Sequence, residues 1–326
     1  QPETPAIAEQ IQRLYQFTLT RINWRKTHSL LFKEKPDYSF VLAENGKVAE
    51  IKAEHRRIAN KIVEESMIIA NICAAQYLHE RIGFGIFNTH MGFDKKFLEN
   101  AHNFLLNQLG REENQEELKA RYSIENLATL QGYCRMRHDI EPLEGNYHEY
   151  RLRRYLTFAE FKSELAPHFG LGLEGYATWT SPIRKYSDMV NHRLIKAALL
   201  QQTGEKPQDS VLARLQEARR QNRLVERDIA DWLYCRYLAD KISSEFEGEV
   251  QDVTRGGLRV QLSDNGASIF VPASTLHNNK EEMQLNADEL ALYIKGECAY
   301  KIGDLVKIKL TEVKEETRSL IGSISS

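Results

Sequence analysis

Thr178-Trp179-Thr180-Ser181-Pro182-Ile183-Arg184-Lys185-Tyr186-Ser187-Asp188, running on to Asn191-His192-Arg193, decides how the rest of the chain reads. Thr180 or Ser181 is a good N-cap, and Pro182 fits the first helical position, where its missing N–H costs nothing. Ile183, Met189, Val190 and Leu194 give the helix that follows an apolar face. A cation in a first helical turn opposes the helix dipole, so Arg184 calls for an anion beside it. The free amides of a helix start and the paired N–H groups of a guanidinium both suit a phosphate. Two readings stay open on the residues alone. Arg184 meets a phosphate of a polyanionic substrate, or it pairs with Asp188 four residues on.

Upstream of this stretch, Thr4-Pro5 caps a helix with Ile7, Ile11, Leu14 and Leu19 as its apolar residues. Leu30-Leu31-Phe32 and Tyr38–Leu42 read as strands, and Glu44-Asn45-Gly46-Lys47 is a hairpin turn returning through Val48 to Ile51. A long helix is expected from Ile58 to Arg81, with Ile62, Met67, Ile69 and Ile72 buried and Glu64-Glu65 near its start. Residues 91–145 are charged and mostly helical in pattern. Tyr150–Phe158 alternates like a strand, and its arginines suit either a phosphate-lined path or an exposed sheet face. Downstream, Asp209–Ile242 reads as one long helix. Near Ser244 the period changes from helical to alternating. Phe246–Val253, Gly257–Leu262, Ser268–Val271, Leu305–Val313 and Ser319–Ser323 are expected strands, with an insertion before the fourth. Five short strands of this kind fit a Greek-key barrel of the OB type. The fold class is therefore α+β, with domains expected at 1–244 and 245–326.

Hydrophobic residues make up 42% of the 326, charged residues 28%, and the net charge is -2. The first 244 residues are slightly basic and the remainder acidic. Neither part has the strongly basic body of a protein that coats nucleic acid by charge alone, so any such contact must be local. Cys73, Cys134, Cys235 and Cys298 lie far apart without paired ligand spacing and read as reduced structural thiols. No apolar run is long enough to span a membrane, and no membrane partner is expected. The reduced thiols go with a cytoplasmic protein, and a monomer is expected. The chain starts at Gln1 and reads as a piece of something longer.

Thr-Ser-Pro-Ile-Arg-Lys-Tyr-x-Asp followed by His-Arg resembles the signature of the ribonuclease II (RNB) family, and other segments extend the resemblance over nearly the whole chain. Relatives are processive 3′→5′ exoribonucleases that hydrolyse single-stranded RNA to nucleoside 5′-monophosphates. The resemblance implies a catalytic role for Arg184 against the phosphates at the 3′ end, with Tyr186 in the same motif as an RNA contact. Val63-Glu64-Glu65-Ser66-Met67-Ile68-Ile69-Ala70-Asn71 is also similar to a family motif, and assigns Glu64 to the cavity that holds the 3′ nucleotides. A carboxylate there can accept from ribose hydroxyls and so prefer RNA. Phe32 matches the family's base-stacking aromatic, and Glu226, in Asn222–Asp228, matches a glutamate near the active centre. Phe-x-Gly-x-Val, Gly-Gly-x-x-Val-x-Leu and Phe-Val-Pro-Ala-Ser resemble the RNA-binding domain first recognised in ribosomal protein S-one. At the positions where that domain presents aromatics or a histidine this chain has Gly256, Arg259 and Pro272, so stacking there should be weak, and Arg255 and Arg259 are left to hold phosphates. The family uses Mg²⁺ held by clustered aspartates. Asp188, Asp228 and Asp231 do not match that cluster, so no metal ligand is assigned. The resemblance thus implies the carboxy-terminal half of an exoribonuclease, inactive alone. The other reading is a non-catalytic RNA-binding or scaffolding protein that retains the RNB fold.

Overall fold

Two compact units divide the chain in the computed structural model, which describes residues 4–31, 36–109 and 115–325. One unit takes residues 1–34, 56–142 and 155–220. The other takes 35–55, 143–154 and 221–326.

In the first unit, α1 (Pro5–His28) starts as the sequence predicts, with Thr4 extended and its hydroxyl accepting from the Ile7 amide. Its buried side is not the apolar stripe. Ile7, Ile11 and Leu14 are exposed, whereas Thr18 and Arg25 are buried. Leu30 is buried but lies in no strand, contrary to expectation, and Phe32 falls outside the described residues. α2 (Ile58–Tyr77) ends in a π-helical turn at Leu78–Ile82 that Gly83 closes with a φ of 85°. The buried stripe of α2 is Glu65, Ile68, Asn71, Ala74 and Ala75 rather than the expected isoleucines. Hydrophobic periodicity misses such a face because two of its members are polar.

β3 (Phe87–Thr89) pairs antiparallel with β4 (Glu160–Lys162), Phe87 opposite Lys162. Between them lie α3 (Leu98–Leu109), α4 (Gln115–Arg121), α5 (Ile124–Leu127) and α6 (Leu130–Ile140), with Leu105, Leu118, Tyr122, Leu127 and Met136 in their core. α8 (Tyr186–Leu199) packs Leu194 and Ile195 against Ala74, Ala75 and Leu78 of the α2 region, with Phe87 and Ala177 between. Asn191, fully buried, crosslinks this core. Its amide donates to the carbonyls of Ile86 and Thr178, and its Oδ1 accepts from the Ile86 amide.

In the second unit, β1 (Asp37–Leu42) and β2 (Val48–Glu54) form the expected hairpin, with Gly46 at a φ of 73° in its turn. α7 (Tyr147–Arg153) takes the first residues of Tyr150–Phe158, the stretch expected to be a strand. The reason is local. Gly145 turns the chain at a φ of 73°, the Tyr150 amide bonds back to the Asn146 carbonyl, and Asn146 and Tyr150 both donate to the Glu249 carboxylate. Tyr150 and Leu152 flank Arg151 and imitate apolar alternation in the sequence, although on the helix all three are buried. α9 (Asp209–Leu238) is a long helix whose last turns bring Tyr234, Cys235 and Leu238 into the core of this unit.

That core belongs to a closed barrel of β5 (Glu245–Thr254), β6 (Gly257–Leu262), β7 (Ser268–Pro272), β11 (Leu305–Lys314) and β12 (Ser319–Ile324). β5, β6 and β7 pair antiparallel in sequence, β12 runs parallel to β7, and β11 joins β12 back to β5. Inward residues alternate along β6, where Leu258, Val260 and Leu262 are fully buried. After the short helix α10 (Ala273–Leu276), the insertion forms a sheet of its own, with β9 (Ala291–Ile294) between β8 (Met283–Asn286) and β10 (Glu297–Lys301).

Candidate functional site: a buried polar cluster beside the signature turn

The signature does not begin a helix at Ser181. Residues 182–184 form a turn, closed by the amides of Arg184 and Lys185 on the Ser181 carbonyl at 3.2 and 3.0 Å. Lys185 is extended, and α8 starts only at Tyr186. Arg184 therefore stands outside the helix, and the dipole conflict noted from the sequence does not arise. Its side chain is exposed, as are those of Ile183 and Tyr186. No Arg184–Asp188 pair forms. Asp188, fully buried, instead accepts from the Ser181 amide at 2.9 Å and from the Ser187 hydroxyl at 3.1 Å. Ser187 is also 3.0 Å from the Thr178 hydroxyl. The aspartate thus fixes the turn that carries Arg184. Behind it, His192 stacks on Trp179 at 3.5 Å and donates through Nε2 to the Trp179 carbonyl at 2.7 Å.

The first turns of α2 meet the end of α1 in a second set of polar groups. Arg25 and Glu65 are 1% and 2% exposed, and Arg25 Nη1 lies 2.5 Å from Glu65 Oε1. Arg25 Nη2 donates to the Leu30 carbonyl at 2.6 Å. Glu64 is half-buried. Its Oε2 accepts from Arg56 at 2.8 Å, and its Oε1 is 3.9 Å from Arg25 Nη1. Arg21 lies 4.0 Å from Glu65 Oε2 and rests over the Trp24 ring.

Tyr176 links the two sets. Its hydroxyl accepts from Asn71 Nδ2 at 2.7 Å, and Asn71 Oδ1 accepts from the Trp179 amide at 2.8 Å. Burial raises the Tyr176 pKa. The Asn71 bond and the Arg25 charge act against that rise, and Asp188 and Glu64 add to it. The charges of Arg25, Glu64 and Asp188 thus all act on this tyrosine within one unit. Farther along the same segment, His90 donates to the Thr157 carbonyl and accepts from the Gly170 amide, so it is neutral. His168 stacks on His90, and burial, with His90 second, lowers its pKa to about 4.

In the second unit, Glu226 is exposed on α9, and Arg255 and Arg259 are exposed on the barrel. Arg259 lies opposite Phe270 in the β6–β7 register. Phe270 is itself exposed, and a side chain at Gly256 would meet its ring, 3.7 Å away. The sequence reading missed this aromatic, although the order Ile269 in, Phe270 out, Val271 in follows from strand alternation. It also missed Arg25, Glu65, Asn71 and Tyr176. Nothing in the local pattern marks Arg25 as a core residue. Among the described residues, no three His, Cys, Asp or Glu side chains gather as a metal site. The residues present thus do not fit a Mg²⁺ centre, and no chemical step is routed through one. No helix among the described residues is long and apolar enough to cross a membrane.

The RNB domain model matches residues 1–201, and the S1 RNA binding domain model matches residues 240–325. The chain belongs to the RNB family. It is similar to Exoribonuclease 2 of Haemophilus influenzae (strain PittGG), with 79% identity over 99% of this chain and 50% of that protein. Exoribonuclease 2 of Pasteurella multocida (strain Pm70) is 69% identical over the same shares. The chain thus spans about half the length of the curated relatives it matches. In fold it resembles the apo form of Mycoplasma genitalium RNase R, with a TM-score of 0.78, 18% identity, and coverage of 99% of this chain and 50% of that one.

Proposed function

We propose that this chain supplies the carboxy-terminal half of a hydrolytic 3′→5′ exoribonuclease acting on single-stranded RNA. In each cycle water would displace the 3′-oxygen of the penultimate nucleotide from the terminal phosphate. The products would be a nucleoside 5′-monophosphate and an RNA one nucleotide shorter. Arg184 would stabilise charge developing on that phosphate, and Tyr186 would contact the same end of the strand. Glu64 would accept from ribose hydroxyls, while Phe32 would stack on a base and Glu226 would border the site. Arg255 and Arg259 would hold backbone phosphates on the barrel. The reading assigns the divalent metal, which would align the phosphate and activate water, to residues outside this chain, so the chain alone is inactive. A domain boundary near residue 244, a monomeric state and a cytoplasmic location belong to the same reading.

The observation that carries it is the turn at 181–185. A fully buried aspartate holds that turn, which presents Arg184 to solvent along with Ile183 and Lys185, and the exposed phenol of Tyr186 follows at the start of α8. High identity to proteins named Exoribonuclease 2 adds support. The experiment is Arg184→Ala in the full-length protein, with turnover and RNA affinity measured separately. Turnover should fall by about a hundredfold or more with little change in affinity. Equal loss of both would make Arg184 a binding residue and remove it from the chemistry.

A further inference from the structure

We propose that Arg25 is the positioning residue for Glu64, so that ribose recognition depends on a buried guanidinium that never touches RNA. This rests on the reading that Glu64 meets the ribose hydroxyls.

Arg25 extends from the last turn of α1 into a site closed to solvent. Its two terminal nitrogens serve different elements. Nη1 is bonded to Glu65 on α2 and faces Glu64 Oε1 at 3.9 Å, while Nη2 is bonded to the Leu30 backbone beyond the end of α1. One planar group therefore sets the spacing of α1, the Leu30 backbone and the first turns of α2 together. The fork geometry of a guanidinium allows this, and the point charge of an ammonium does not.

Stability alone does not account for the pair. A buried ion pair is commonly no better than well-packed apolar residues in its place, because desolvation offsets the attraction. What the pair does achieve is direction. Glu64 and Glu65 are adjacent on one helical turn, so fixing the Glu65 carboxylate fixes the backbone from which Glu64 projects. Arg25 on one side and Arg56 on the other then border the two oxygens of Glu64. Each oxygen keeps a lone pair for a hydroxyl donor. Without Arg25, Glu64 keeps the exposed Arg56 as its bonded cation and can follow that side chain to other rotamers.

The test uses the full-length protein without divalent metal, so that binding is read without turnover. The probes are a single-stranded RNA oligonucleotide and the same strand with 2′-deoxy sugars in its last few nucleotides. The readout is the ratio of the two dissociation constants. Arg25→Met with Glu65→Met removes both charges of the pair, and it also takes the Arg25 donor from the Leu30 carbonyl and the carboxylate from Arg21. This variant should stay folded, melting below the parent, and lose the ribose preference by about tenfold or more, the value of one hydrogen bond to a charged group. Arg25→Lys should lose part of it. Glu64→Ala should lose the same preference, and the triple variant should lose no more than Glu64→Ala. If the folded double variant and Arg25→Lys both keep the parental ratio, the proposal is wrong. If the double variant does not fold, the folded Arg25→Lys decides alone, and an unchanged ratio there overturns it. If Glu64→Ala keeps the ratio, the role given to Glu64 fails and takes the proposal with it.

Discussion

Replacing Asp188 by Ala should release the turn that carries Arg184, and the size of the effect can be worked from its bonds. The carboxylate accepts from the Ser181 amide and the Ser187 hydroxyl and is fully buried. Hydrogen bonds to an ionised acceptor contribute about 1.5–3 kcal/mol each. Ser187 retains Thr178 as a partner, so its loss is the smaller one. The Ser181 amide is left without an acceptor at the start of the turn, and the Ser181 carbonyl is the group on which the Arg184 and Lys185 amides close. The estimate for Asp188→Ala is about 3 kcal/mol, and for Asp188→Asn, whose single oxygen can replace one of the two bonds, about 1–2 kcal/mol. Urea unfolding of the first unit measures the total. Hydrogen exchange at the Ser181 amide reads the local part, which should lose its protection in the Ala variant. If Asp188→Ala costs less than about 0.5 kcal/mol, the size of an ordinary surface change, or if the Ser181 amide stays protected, the aspartate does not hold the turn.

Acid should weaken the first unit through His168. Its folded pKa, about 4, lies below the ordinary histidine value of 6.5, so the unfolded chain binds the extra proton and stability falls as pH drops from 6.5 towards 4. The full loss is about 3 kcal/mol. Urea midpoints across that range should slope upward with pH, and His168→Phe should flatten the slope. Gly257→Ala should disable the barrel, because at a φ of 142° an added Cβ would lie 2.0 Å from the Val271 carbonyl oxygen. Loss of the cooperative melt of the second unit, with the first intact, is the expected result. Cys235 is fully buried and its thiol is pushed up to about 11 by burial, so it should react with a thiol reagent at neutral pH only on unfolding, while exposed Cys73 reacts at once. Mass mapping of the labelled peptides checks the order.

The barrel was legible because its residues obey one rule throughout. Strand β6 falls on the residues expected for it, and β5 extends only one residue further at each end, since a closed barrel buries alternate side chains along its whole length. The first unit obeys no such rule. Its helices α1 and α2 turn Arg25, Glu65 and Asn71 inward and leave Ile7, Ile11 and Val63 outside, so apolar periodicity points the wrong way. The Tyr150–Leu152 alternation misled for a related reason, because over one turn of a buried helix it cannot be told from a strand. At the candidate site, the motif nominates Arg184 and Glu64. The polar pairs packed nearby lie 40 residues apart along the chain for Arg25 and Glu65, and 108 for Asn71 and Trp179, a separation no local pattern records.

The way the barrel shuts has a further consequence. Strand β12 is hydrogen-bonded to β7 on one side and to β11 on the other, so it is the stave that seals the ring. Clipping residues 319–324 would uncover two rows of amides and carbonyls at once, on strands whose other faces are already apolar. A proteolytic nick there would turn the closed barrel into an open sheet whose new edges can template precipitation.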